Sequence, residues 1–285
     1  MHASEARDLW HLIETVHAVT YFAPHCREAN AEMGFRGFWM GYFGTRAAPM
    51  GAVGPGVVES TFGGFETEMV LKALPDAWGF VEPETAVEGR ARAAAQAIRE
   101  AMPDCDDHVS SLLGTLDRAV ESADATGRPL FAANRDVMPF EDLVEDLWQM
   151  CTSLREHRGG GHVAVLTADG FSGCEAHVLA AAASGTDPAV LRDNRGWSEA
   201  DWTEATTTLR VAGILEAADD ALTERGRKLH EGIESRTDDL AAPPFAAIGE
   251  SGRAHLRDGL IPLAASVVEA GWIPFPNPIG LPEVV

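Results

Sequence analysis

His157 and His162 bracket Arg158 and three consecutive glycines, Gly159 to Gly161. If the glycines end a helix, both imidazoles sit at a tight turn that can wrap a bound group. Two histidines so placed ligate a metal when a third donor arrives from a distant part of the chain. His17 is the third candidate, followed one helical turn along the same face by Tyr21, with His25 extending the stripe if Pro24 only kinks the helix. The set His17, His157 and His162, with a tyrosine beside it, suits iron, copper or zinc, or offers one axial haem ligand. The spacings match no named metal motif, and a histidine at a helix end also serves simply to cap the last carbonyls. The cofactor is therefore left open between none, a transition metal and haem.

Arg46, Arg155 and Arg158 are candidate clamps for a carboxylate or phosphate, because a guanidinium binds such groups through two parallel hydrogen bonds. Arg46 and Arg155 also suit a second role, as cations at the ends of helices. Met50, between Pro49 and Gly51, offers a soft ligand or a flexible wall; filling a core gap is its commoner use. Trp39, Tyr42 and Phe43, with Trp10 and Phe38, form an aromatic neighbourhood that is either core or the lining of a pocket for a planar ligand. The three glycines lack the Lys-Ser or Lys-Thr of a phosphate-binding loop, and neither G-x-S-x-G nor H-E-x-x-H occurs, so nucleotide binding, serine hydrolysis and zinc proteolysis are not supported.

Helical spacing of apolar residues dominates the elements that must position these groups. It predicts helices from Ser4, as N-cap, to Phe22, then over Arg36 to Arg46, Pro55 to Phe62, Phe65 to Leu74, Pro83 to Ala101 and His108 to Ala123. Further helices are expected from Gly173 to Ala183, Asp187 to Asn194 and Ser198 to Ala212, where Ser198 and Asp201 form a capping box. Gly213 stops the last of these; Ile214-Leu215 and Ala221-Leu222 bracket an acidic turn, and Thr223 opens a helix to Leu240. The expected fold is mainly α, with two helical pseudo-repeats, the second a winged-helix-like unit carrying a small β-hairpin wing. The repeat rests on a shift of 109 residues that brings Trp39 onto Trp148, Arg46 onto Arg155, Gly51 onto Gly160, Phe62 onto Phe171 and Gly64 onto Gly173. The expected division is 1–140, an N-terminal helical unit; 141–250, the winged-helix-like unit; and 251–285, a helix and Pro-rich tail.

Forty-four acids against 22 bases give the 285 residues a net charge of -22. A field of that sign repels phosphate backbones and anionic membranes. From Ser198 to Arg225 seven acids face only Arg210 and Arg225, a net of -5. A recognition helix needs Arg, Lys, Asn or Gln where this one carries Glu199, Asp201 and Glu204, so DNA is a disfavoured partner. No stretch approaches the 18 apolar residues of a membrane span, and no basic and then apolar segment marks a signal peptide, so the expected location is cytoplasmic. Cys26, Cys105, Cys151 and Cys174 are too scattered for a zinc ribbon or disulfide framework.

Leu209 to Leu215, with Leu222-Thr223 and Gly226, resembles the corresponding stretch of MarR-type winged-helix regulators. The whole chain resembles an actinobacterial family labelled helix-turn-helix proteins. That resemblance rests on His17 to Pro24, on Arg36 to Trp39 leading to Arg46 to Gly51, on Leu154 to His162 and on Pro274 to Pro282. It implies a fold label and transfers no activity. The leading expectation is a winged-helix-derived protein that holds a small molecule, metal or haem between its halves, as enzyme or binding protein. A transcriptional regulator and an acidic protein-interaction module are the alternatives, and homodimerisation is expected only by analogy with the scaffold.

Overall fold

The computed structural model describes residues 3–283 apart from Met138. The side chain of Ser4, expected as an N-cap, lies outside the described residues. The first helices are α1 (Ala3–His17), α2 (Val19–Phe22), α3 (Pro24–Met33) and α4 (Gly37–Ala47), followed by a 3-10 turn at Ala48–Met50. Next come α5 (Pro55–Phe62), α6 (Thr67–Leu71), α7 (Pro83–Ala101), α8 (Asp106–Glu121) and α9 (Pro129–Arg135). The second half contains α10 (Leu143–Ala168), α11 (Gly173–Ser184), α12 (Pro188–Asp193), α13 (Glu199–Val211), α14 (Glu224–Ala247) and α15 (Gly249–Glu269).

Local sequence fixes many of these ends. Pro24, Pro55 and Pro83 open α3, α5 and α7, since proline presets φ and its missing N–H is an orphan in the first turn anyway. Pro24 thus starts a new helix and separates His25 from the face shared by His17 and Tyr21. Ser198 and Asp201 form the reciprocal capping box at the start of α13, and Thr223 accepts from Gly226 N at the start of α14.

The axis of the molecule is α10, buried around almost its whole circumference from Leu147 to Arg158. One apolar cluster packs its first half against α1, α7, α8 and α15, joining Leu9, Ile13 and Val16 to Leu112, Leu147, Trp148, Leu256 and Leu263. A second gathers Phe43, Val58, Phe62, Phe65 and Leu74 around α4 to α6. A third sits under α11, α13 and the start of α14, built on Val178, Leu209, Leu215 and Ile233. Among the described residues no helix is long and apolar enough to cross a membrane.

Three expectations are corrected. The triple glycine does not end a helix; α10 runs through it to Ala168. A Cβ on Gly160 would lie 3.0 Å from Arg128 Cγ, and one on Gly161 3.3 Å from Leu240 Cβ, so these glycines let neighbouring segments approach the helix. The hairpin wing reduces to one antiparallel bridge, Leu215 with Leu222, because Thr223 is already the N-cap of α14 and leaves no residues to extend a strand. The pseudo-repeats also fail: Gly51 lies outside any helix at φ +80° while its proposed counterpart Gly160 is inside α10, and α4, the 3-10 turn and α5 stand opposite the single helix α10.

Candidate functional site

A cleft opens where α1, α2 and α3 meet α4, α7 and the middle of α10. At its floor His17 donates through Nδ1 to Thr152 Oγ1, 2.9 Å away. The direction is fixed because the Thr152 hydroxyl proton is already given to Trp148 O. Nε2 is then the acceptor, and Tyr21 OH donates to it at 2.9 Å. The imidazole stacks on the Trp148 indole at 5.8 Å between centroids. Burial, reinforced by the positive charge of Arg155, pushes His17 well below its ordinary value, and burial raises the Tyr21 phenol. Both are neutral at pH 7.

Beside this pair, Arg46 grips Glu156 through Nε and Nη2 at 2.9 and 3.0 Å and donates to Tyr42 OH. Arg155 joins Glu156 to Glu14 at 2.9 and 3.0 Å. Burial alone would raise Glu156, but Arg155 and Arg46 override it and hold the carboxyl far below its usual range. Arg46 covers the face of Phe62 at 4.0 Å.

Arg90 reaches the cleft from α7. It donates to Thr45 O, Asn134 Oδ1 and Gln149 Oε1 at 2.8, 2.7 and 3.0 Å, all neutral acceptors. Its Nε is buried without a hydrogen-bond partner among the described residues, and desolvation lowers the guanidinium to about 10. Phe38, Arg27 and Asn30 line the outer part of the cleft.

Of the residues expected to form a site, His17, Tyr21 and Arg46 therefore line one cleft, with Arg155 immediately behind Glu156. Arg155 lies inside α10 and ends no helix. The others lie elsewhere. Arg158 bonds Glu234 and Asp238, both at 3.0 Å, and lies over Trp10, tying α10 to α14 and α1. His157 packs edge-on against Phe131 and is pushed down to about 4, chiefly by burial. His162 bonds Thr237 at 3.0 Å. Met50 packs into the second apolar cluster. The donor geometry does not fit a metal or axial haem site. His17 has both nitrogens engaged, and among the described residues no three His, Cys, Asp or Glu side chains stand close enough to hold a metal.

The sequence pattern hides Arg90 and Glu156, yet a trace of Arg90 was present. It falls on the same helical stripe as the buried Ala86, Ala94 and Ile98, where an apolar residue is the rule.

Away from the cleft, α12 and α13 are joined by the turn 194–198. The exposed side of α13 presents Glu199, Glu204, Thr207 and Thr208, and Val211 is 85% exposed. The turn rests on the first half of the chain. Glu66 N donates to Arg195 O at 2.9 Å, and Trp197 Nε1 to Gly64 O at 3.1 Å.

Against this geometry, a family model described as a helix-turn-helix family matches residues 6–274. The chain belongs to that helix-turn-helix family. The match carries no winged-helix or actinobacterial description. No curated protein and no solved structure matches the chain.

Proposed function

We propose that this helix-turn-helix protein holds a small organic molecule in the cleft between α1 to α4 and α10. The observation that carries the reading is Arg90, a buried cation lining the cleft with an unpartnered Nε and no carboxylate bonded to it. A buried donor left unmade costs about 1–3 kcal/mol, a cost that a ligand acceptor removes. Small-molecule sites commonly hold about 300–1,000 Å³, and the cleft opens to solvent at its mouth. Its interior is far narrower, about 20 Å³, room for roughly one or two water-sized bodies. Anything larger than a head group must displace the mouth, where Phe38 is already 46% exposed.

The groups around the cleft suit holding rather than proton transfer. His17 has both nitrogens committed and is held neutral, Tyr21 is held neutral, and Glu156 is locked as an anion between two arginines. Ligand-observed NMR against a charge-balanced fragment set tests the reading, with Thr20→Trp, a substitution that fills the cleft, as the control. Fragments that bind the native chain and not Thr20→Trp support it; a set in which no fragment distinguishes the two proteins ends it.

The family description favours a second reading, a DNA-binding regulator. The carboxylates of α13 count against it, since each phosphate contact needs a cation that releases a counterion. Mobility shifts at low salt on the DNA upstream of its own coding sequence decide between the two.

A further inference from the structure

Resting on the cleft reading above, we infer that the molecule held there is anchored by a single carboxylate, received by Arg90. Three arginines, Arg46, Arg90 and Arg155, stand in or against the floor of the cleft, with two carboxylates, Glu14 and Glu156. Glu14, Glu156 and Arg90 are each at most 4% exposed, and Arg46 and Arg155 are 12% and 18% exposed in their side chains. The two carboxylates are consumed by Arg46 and Arg155. His17 and Tyr21 are neutral and supply no countercharge. The network is one negative charge short, and the arginine left over is the one whose Nε is unpartnered.

A buried charge without a countercharge is among the least tolerated features of a protein interior. Arg90 is held instead by a backbone carbonyl and two side-chain amides. This arrangement fixes the guanidinium in place while leaving its charge uncancelled, as a preorganised anion receptor requires. Charge and space together select the anion. At the buried floor the one missing charge matches a carboxylate. The narrow interior admits a planar group of a few atoms, and with Nη2 committed to Asn134 and Gln149 the Nε–H of Arg90 is left to bond one carboxylate oxygen. Arg27, which forms no ion pair among the described residues, adds a second cation at the mouth, on the path inward.

Isothermal titration of the full chain at pH 7 and fixed ionic strength, with acetate, propionate and benzoate against acetamide, propionamide and benzamide, tests this directly. Inorganic phosphate forms a further arm. At least one carboxylate should bind ten-fold or more tightly than its own amide and than phosphate. Thr20→Trp should abolish that binding and Arg90→Lys weaken it ten-fold or more. Arg158→Lys, which alters a buried ion pair remote from the cleft, should leave the Kd unchanged, with each fold checked by circular dichroism. Amides that bind as well as carboxylates at a site lost in Thr20→Trp, or phosphate that binds best there, overturn the carboxylate and leave the cleft reading standing. Carboxylate binding unaffected by Thr20→Trp, or no binding by any probe, overturns the assignment of the anion to this cleft. If Arg90→Lys fails to fold, the carboxylate-to-amide ratio and Thr20→Trp still decide.

Discussion

Gly173, the first residue of α11, lies so close to Gly64 that a Cβ built on it falls 2.7 Å from Gly64 Cα and 2.9 Å from Gly64 N. Both obstructing atoms are backbone and cannot rotate away. The contact seats α11 and the turn between α12 and α13 on the first half of the chain, alongside the bond from Trp197 to Gly64 O and the stacking of Arg195 over Phe65 at 4.8 Å. Phe65 in turn lies 5.6 Å from Tyr42, whose hydroxyl holds Arg46 in the cleft.

Gly173→Ala should therefore prise the two surfaces apart. The expected loss is about 1–3 kcal/mol, the usual cost of overpacking a closed contact. Urea denaturation measures it, and faster amide exchange at Glu66 locates it. A variant as stable as the native chain, with unchanged exchange, refutes the contact.

Glu156→Gln should be far more damaging than a surface change. It removes the carboxylate that Arg46 and Arg155 share and leaves two guanidiniums with only Glu14, bonded to Arg155, to offset them. Breaking a buried pair by deleting one partner costs roughly 3–5 kcal/mol. A fall in stability below about 1 kcal/mol, read from the denaturation midpoint, would show that the network is not closed as described.

Acid should destabilise the fold before its carboxylates titrate. His157 is pushed down to about 4 and His177 to about 3, both first by burial and then by the nearby Arg128 and Arg195 respectively. An unfolded histidine titrates near 6.5, so between there and these lower values the unfolded chain binds protons that the folded one refuses. Stability is thus complete above about pH 6.5 and falls as the pH drops towards 4, by on the order of 3 kcal/mol for His157. His157→Gln should flatten that descent. Parallel stability curves for the two proteins from pH 7 to 4 would show that His157 has no part in it.

Charge on α13 should control any hold on DNA. Glu199 and Glu204 are exposed and make no capping bond, unlike Asp201, so both can be reversed without uncapping the helix. The native chain should show no retardation of duplex DNA at 50 mM salt, whereas Glu199→Arg with Glu204→Arg should gain weak, salt-sensitive binding. Tight retardation by the native chain, lost at higher salt, would favour the regulator over the ligand-holding protein.

Elements closed by local chemistry were legible in the residues alone. Pro55, Pro83 and the Ser198–Asp201 box mark their helices without help from the rest of the chain. The course of α10 was not, because three glycines each cost a helix about 1 kcal/mol, and what offsets that is packing against Arg128 and Leu240, distant in sequence. The same misreading produced the metal trio. With the helix continuous, five residues turn about 140°, so His157 and His162 face different neighbours. His17, Tyr21 and Arg46 were recognisable by type and spacing. Arg90 and Glu156 acquire meaning only from partners brought in by tertiary packing.

The apolar cluster around α1 also contains Leu256, Leu260, Leu263, Ile273 and Leu281. A polypeptide emerging from the ribosome must therefore carry Leu9, Ile13 and Val16 only partly covered, by α10 and its neighbours, until some 240 further residues have been made. Such delayed closure leaves apolar surface of the emerging chain open to association, and it ties the cleft's inner wall, which α1 supplies through His17, to α15.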